Sequence, residues 1–182
     1  MIASNTKALT TLMLAKLVDA GKLDWNARAV DVYPAFKLGN ADTTGKVLVK
    51  HLICACTGVP RQDYEWLFEG EKQSPETVMS TLATMQPSSA FGELFQYSNP
   101  MAAAAGYIGG QVANPGSELG AGYDRAMQAL VFDPLGMGNT TFDYARAQTG
   151  DYAAPHGYDI DHKVQVMGMG LDDTIIASRP GG

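Results

Sequence analysis

The chain has 182 residues, 46% of them hydrophobic, which is enough for one sizeable core and too few to require two full domains. Its formal net charge is −6, with Lys and Arg scattered singly, so no basic patch attracts phosphates or an anionic bilayer; this argues against nucleic-acid and membrane-surface roles. No apolar run approaches the roughly 20 residues that span a bilayer, and Met1 to Lys7 lacks the basic-then-apolar pattern of a signal peptide.

From Ser4 to Ala20, Leu9, Leu12, Met13, Leu17 and Ala20 recur at helical spacing, and Leu14 and Val18 widen the stripe. The pattern predicts a buried helix over 4–20, N-capped by Ser4 and stopped by Gly21, with Leu9, Leu12, Met13 and Leu17 inside. The stretch from Asp24 to Gly45 is polar and turn-rich, and Lys46 to Cys56 predicts a short helix ended by a turn at Gly58-Val59-Pro60. Cys54 and Cys56 lie two apart, where neither helix nor strand brings their Cβ atoms together, so two buried thiols are expected. Ser74-Pro75-Glu76 is an N-cap, a first-turn proline and a dipole-complementing carboxylate; the helix it opens stops before Pro87. Met101–Val112, rich in Ala and Gly, and Leu119–Val131 predict two more helices, and Asp133 to Met137 a turn. Beyond that the chain reads as loop, with Val164–Met169 alone suggesting a strand.

Two clusters could carry chemistry. Ser4 and Lys7 are three residues apart, so a helix sets hydroxyl and amine on one face. A serine becomes a nucleophile when a neighbouring base takes its proton, and a lysine serves only where burial or nearby positive charge keeps it neutral. At a helix N-terminus the Ser4 N–H is also a candidate oxyanion donor. The plainer alternative is a capping serine beside a solvated lysine. Tyr97-Ser98-Asn99 reads as a loop tip after an aromatic stretch. Its phenol can shuttle a proton, and its amide can contact a substrate carbonyl or hold a lysine; the alternative is a half-buried tyrosine beside a turn asparagine. The histidines His51, His156 and His162 have nothing placing them beside Ser4, and the acidic loop around Asp159 and Asp161 lacks calcium-loop spacing. Trp25 and Trp66 are assigned to packing, with Trp66 a candidate for a cleft rim.

Taken together, Ser4-x-x-Lys7 and, 93 residues after Ser4, Tyr97-x-Asn99 resemble the serine β-lactamase and penicillin-binding-protein superfamily: class C β-lactamases, DD-peptidases and related esterases. The segment from Lys50-His51-Leu52-Ile53 to Thr57-Gly58-Val59-Pro60 is similar to a further family motif, as is Pro134-Leu135-Gly136-Met137 with Thr140 and Phe142. The resemblance implies Ser4 as acylated nucleophile, Lys7 as its base or proton relay, Tyr97 as a second acid and base, and Asn99 as a substrate-amide contact. It implies a small-molecule or peptide substrate, no metal or organic cofactor, and a periplasmic or secreted location, although the sequence leaves the compartment open.

The family's third motif, Lys-Thr-Gly or His-x-Gly, is not in these 182 residues. The expected architecture is therefore mainly α, one partial domain over 1–182. It would be the helical lobe of an α/β β-lactamase/transpeptidase-like fold, truncated at both ends, with most of the sheet missing. Such a chain is expected to hydrolyse an ester, a β-lactam or a D-Ala-D-Ala-like amide weakly by itself, and to self-associate through the surface the sheet would cover. The rival expectations are a non-catalytic binding or scaffold protein that keeps the fold, and a helical interaction domain whose motifs are accidental.

Overall fold

A computed structural model describes residues 2–63, 73–168 and 175–182. Trp66 lies outside the described residues. Helix α1 (Asn5–Asp19) leads into α2 (Ala29–Val32), α3 (Ala41–Lys46) and a 3-10 turn at Val49–Leu52. Next come α4 (Pro75–Leu82), α5 (Asn99–Ala113) and α6 (Leu119–Met127), which runs into a wide turn at Gln128–Phe132. After α7 (Tyr144–Ala147), the antiparallel strands β1 (His156–Tyr158) and β2 (Val164–Val166) pair His156 with Val166 and Tyr158 with Val164. A second 3-10 segment covers Ile175–Gly181. Among the described residues the architecture is mainly helical and the sheet has two strands.

Helix α5 is the hub, in contact with α1, α4, α6 and the 175–181 segment. Its residues from Asn99 to Gly110 are all buried, which its run of alanines and glycines permits because neighbouring backbones can approach closely. At Gly106 a side chain would collide with Pro180 and with the Tyr123 ring. Two buried phenols tie the 175–181 segment down: Tyr107 donates to the Ala177 carbonyl, and the Tyr123 hydroxyl lies 2.8 Å from Thr10 Oγ1. Thr10 has one proton, which goes 2.9 Å to the Pro180 carbonyl, so Tyr123 donates to Thr10. Arg179 completes the clamp with two hydrogen bonds, 2.7 and 2.9 Å, to the Asp124 carboxylate.

Several expectations need correction. Leu12 is 38% exposed, because the buried stripe of α1 runs through Thr6, Thr10, Met13, Leu14 and Leu17 and leaves Leu12 on the outer face. Ser4 is no side-chain cap: its backbone is already in the right-handed helical region and its hydroxyl points to other partners. Within the turn-rich stretch, Asn40 caps α3 by accepting from the Thr43 amide at 2.9 Å. Cys54 and Cys56 form a disulfide, not two thiols; Ala55 at φ +55° bends the chain back and brings their Cα atoms to 5.3 Å. Asn99 opens α5, with Ser98 as its cap, so the second motif ends inside a helix. Helix α4 begins as its sequence predicts, Ser74 and Thr77 capping each other reciprocally. The acidic loop is a hairpin turn, in which Asp159 accepts from the amides of Asp161 and Lys163 at 2.9 Å and from Gln165 at 2.8 Å. That hairpin also carries much of the exposed apolar surface: Tyr158, Ile160, Val164, Val166 and Met167.

Candidate active site

The first turn of α1 carries Ser4 and Lys7, the N-terminus of α5 carries Asn99, and Tyr97 sits two residues before it. The segment after Pro60 supplies Arg61 and Asp63, and the 175–181 segment supplies the Gly181 carbonyl. Packing of α1 against α5 thus brings together residues 93 positions apart.

Ser4 Oγ is hydrogen-bonded to the Tyr97 hydroxyl and lies 3.1 Å from Lys7 Nζ. Lys7 Nζ donates 2.6 Å to Asn99 Oδ1 and also to the Gly181 carbonyl. The close approach of that carbonyl needs glycine, since a Cβ on Gly181 would stand 2.6 Å from the Asn99 carbonyl oxygen. Hydrogen-bond stoichiometry then constrains the chemistry. Both the Asn99 oxygen and the Gly181 carbonyl can only accept, so they take two N–H bonds of Lys7. The third position faces Ser4. An ammonium there donates to Ser4 Oγ, and a neutral amine offers its lone pair to the Ser4 proton, so a proton can cross without rearrangement of the cluster.

Tyr97 is half-buried, and that burial pushes its phenol up; the close approach of Lys7, the Ser4 hydrogen bond and the charges of Lys7 and Arg61 outweigh it and hold the phenol below its usual value of 10. The Lys7 nitrogen is 4.4 Å and the Arg61 guanidinium carbon 5.3 Å from the centre of the Tyr97 ring. The site therefore contains a hydroxyl with two proton-transfer partners, one of them a phenol held below its ordinary value.

All four residues singled out in the sequence meet here: Ser4, Lys7, Tyr97 and Asn99. Asn99 is 5% exposed, with its oxygen on Lys7 and its nitrogen 3.0 Å from Asp63 Oδ1. The histidines lie elsewhere. His51 is half-buried edge-on to Phe91, accepts from the Leu48 amide at 3.2 Å, and is held below its usual value chiefly by burial. His156 shares a 2.8 Å hydrogen bond with the Ala154 carbonyl. Sequence reasoning missed Arg61, Asp63 and Gly181, whose roles depend on contacts with residues 36 to 174 positions away.

The profile of the Beta-lactamase family matches residues 1–177. The chain belongs to that family, within the serine β-lactamase and penicillin-binding-protein-like superfamily. No curated protein matches the chain. Among solved structures it is similar to the octameric penicillin-binding protein homologue from Pyrococcus abyssi, with 21% identity and a TM-score of 0.73 over 98% of this chain and 42% of that one. It is also similar to a β-lactamase/D-alanine carboxypeptidase from Pseudomonas syringae, with 20% identity and a TM-score of 0.66 over 99% and 46%. A class C β-lactamase from Rhodobacter sphaeroides gives 20% and 0.62 over 97% and 46%. The chain spans less than half the length of each of these structures.

Proposed function

We propose that the protein transfers an acyl group to water through an ester on Ser4, acting on an ester, a β-lactam or a D-Ala-D-Ala-like amide. The observation that carries this reading is the convergence of Lys7 and Tyr97 on Ser4 Oγ. In the first step Ser4 Oγ bonds to the carbonyl carbon while its proton passes to the Lys7 amine or the Tyr97 phenolate. The leaving oxygen or nitrogen departs as the tetrahedral intermediate collapses, taking that proton. Water then attacks the acyl-Ser4 ester, the same base accepting its proton and returning it to Ser4 Oγ as the acyl–Oγ bond breaks, and the free acid leaves. Asn99 keeps Lys7 in place through its oxygen; its nitrogen has two N–H bonds, of which Asp63 takes one, and the other is suited to a substrate carbonyl.

The sequence holds no Lys-Thr-Gly or His-x-Gly triplet. By itself the chain therefore turns over weakly, by about 10² to 10³ if one oxyanion donor is missing. Residues 1–182 act as one partial domain in this reading, with self-association through the surface that a sheet would cover; the exposed apolar side chains of the β1–β2 hairpin are a second surface open to another copy.

The test is hydrolysis of a p-nitrophenyl ester, a chromogenic cephalosporin and a D-Ala-D-Ala peptide, with Ser4→Ala as blank. Ser4-dependent release from any of the three supports the reading and identifies the substrate class. Release that is equal in Ser4→Ala, or a stoichiometric complex with no acyl-enzyme, would favour the scaffold alternative.

A further inference from the structure

We propose that Arg61 and Asp63 are positioning residues of this site: Asp63 locks the Asn99 amide so that its oxygen faces Lys7, and it holds Arg61 against the Tyr97 ring. The inference rests on the reading of Ser4 as nucleophile, and its geometry stands apart from that reading.

The argument starts with Asn99. A primary amide is nearly symmetric in shape, so packing alone does not decide which end meets Lys7. A lysine nitrogen carrying N–H bonds favours the oxygen, but the reversed amide would still fill the same space. A carboxylate settles the matter, because it can only accept. Asp63 Oδ1, 3.0 Å from Asn99 Nδ2, demands the N–H end and leaves Oδ1 for Lys7 at 2.6 Å. The Asp63 side chain is 13% exposed, so this is a charge-assisted hydrogen bond in a partly dry setting.

The second Asp63 oxygen accepts from Arg61 Nε. Arg61 is itself 63% exposed and would sample many rotamers without that anchor. Anchored, its guanidinium sits 5.3 Å from the Tyr97 ring centre, within the range of a cation–π contact. Among the described residues, the groups facing Tyr97 are thus Ser4 and Lys7 from the start of α1, and Arg61, with Asp63 behind it, from the segment after Pro60. One carboxylate serves both proton-transfer partners of Ser4, Lys7 through Asn99 and Tyr97 through Arg61.

Two readouts separate positioning from mere folding. The first needs no substrate: titration of the Tyr97 phenol by NMR of ring-labelled tyrosine, assigned with Tyr97→Phe. Arg61→Gln should move the Tyr97 midpoint upward and Arg61→Lys should bring most of it back, with melting curves showing all variants folded. In the same spectra the Asn99 side-chain protons should shift in Asp63→Asn. The second readout is Ser4 acylation by a p-nitrophenyl ester, which Asp63→Asn should slow roughly ten- to a hundredfold, the scale of one charge-assisted hydrogen bond, with little further loss in an Asn99→Ala background. A Tyr97 midpoint unmoved by Arg61→Gln, unchanged Asn99 resonances, or a full Asp63→Asn effect without Asn99 would each overturn the proposal. If Ser4 is not acylated at all, the acyl-transfer reading fails, and the titration and amide resonances still decide the arrangement.

Discussion

Replacing Gly106 with alanine in the middle of α5 sets two effects of known size against each other. In an unconstrained helix interior, glycine to alanine gains about 0.8–1 kcal/mol. Here the new Cβ would stand 2.9 Å from Pro180 Cγ and from Tyr123 Cε2, and nearer still to Pro180 Cβ. A proline ring has no alternative rotamer and Tyr123 is fully buried, so the backbone must yield, which for an overpacked core costs typically about 1–3 kcal/mol. Since the closest approach, to Pro180 Cβ, puts the clash at the upper end of that range, the balance is a net loss of about 2 kcal/mol, or a drop in Tm of about 4–8 °C for a chain of this size. What moves is the turn that places the Gly181 carbonyl on Lys7, so Ser4 acylation should fall by more than the folded fraction does. Gly45, inside α3 with nothing within 4 Å of its virtual Cβ, is the control: Gly45→Ala should gain about 0.5–1 kcal/mol. The assay is thermal denaturation followed by circular dichroism, paired with single-turnover ester acylation. If Gly106→Ala melts at or above the parent temperature with acylation intact, the close packing of α5 on the 175–181 turn does not hold the site together.

Leu82→Ala, at a fully buried position of α4, should cost about 2–5 kcal/mol in a denaturant titration, and a loss below about 1 would mean α4 is not part of the core. Asp159 is held below the usual carboxylate range by the Lys163 amide, the Gln165 side chain and the Asp161 amide. A carboxyl lowered on folding stabilises above its unfolded value near 3.9, and that contribution is lost as pH falls through the folded value. The Asp159–Lys163 turn should therefore loosen below about pH 4, seen as faster amide exchange at Lys163, and Asp159→Asn should remove the pH dependence. Sedimentation should show concentration-dependent association that Ile160→Glu weakens; a monomer at all concentrations removes the hairpin as a self-association surface.

How much of this was legible in the sequence depended on range. The Ser4–Lys7 pairing follows from a three-residue spacing on one helix, and α4 from a local cap that the structure keeps. The meeting of Tyr97 with Ser4 was legible only through the family resemblance, because a helical period cannot say which helix packs on which. Asn99 reads as part of a loop tip because Pro100 follows it directly; proline at the second position of a helix is equally at home, its missing N–H being unneeded there. The Cys54–Cys56 bond turns on the φ of Ala55, a residue type that rarely goes left-handed and so gives no warning. Strand β2 falls within the Val164–Met169 stretch whose pattern suggests a strand, whereas β1, of three residues, is too short for alternation to stand out. Arg61 and Asp63 read as ordinary charged residues after a turn, because a contact spanning 36 positions leaves no local trace.

The central claim is that Ser4 is the acylated atom, activated by Lys7 and Tyr97. Its most direct test is intact-mass and peptide-mass analysis after incubation with a fluorophosphonate. The account predicts a single covalent adduct on the peptide carrying Ser4, absent in Ser4→Ala and formed at least tenfold more slowly in Lys7→Met and Tyr97→Phe, about 1.4 kcal/mol or more of lost activation for each. An adduct on another residue, or labelling of Ser4 that is indifferent to both substitutions, would contradict it.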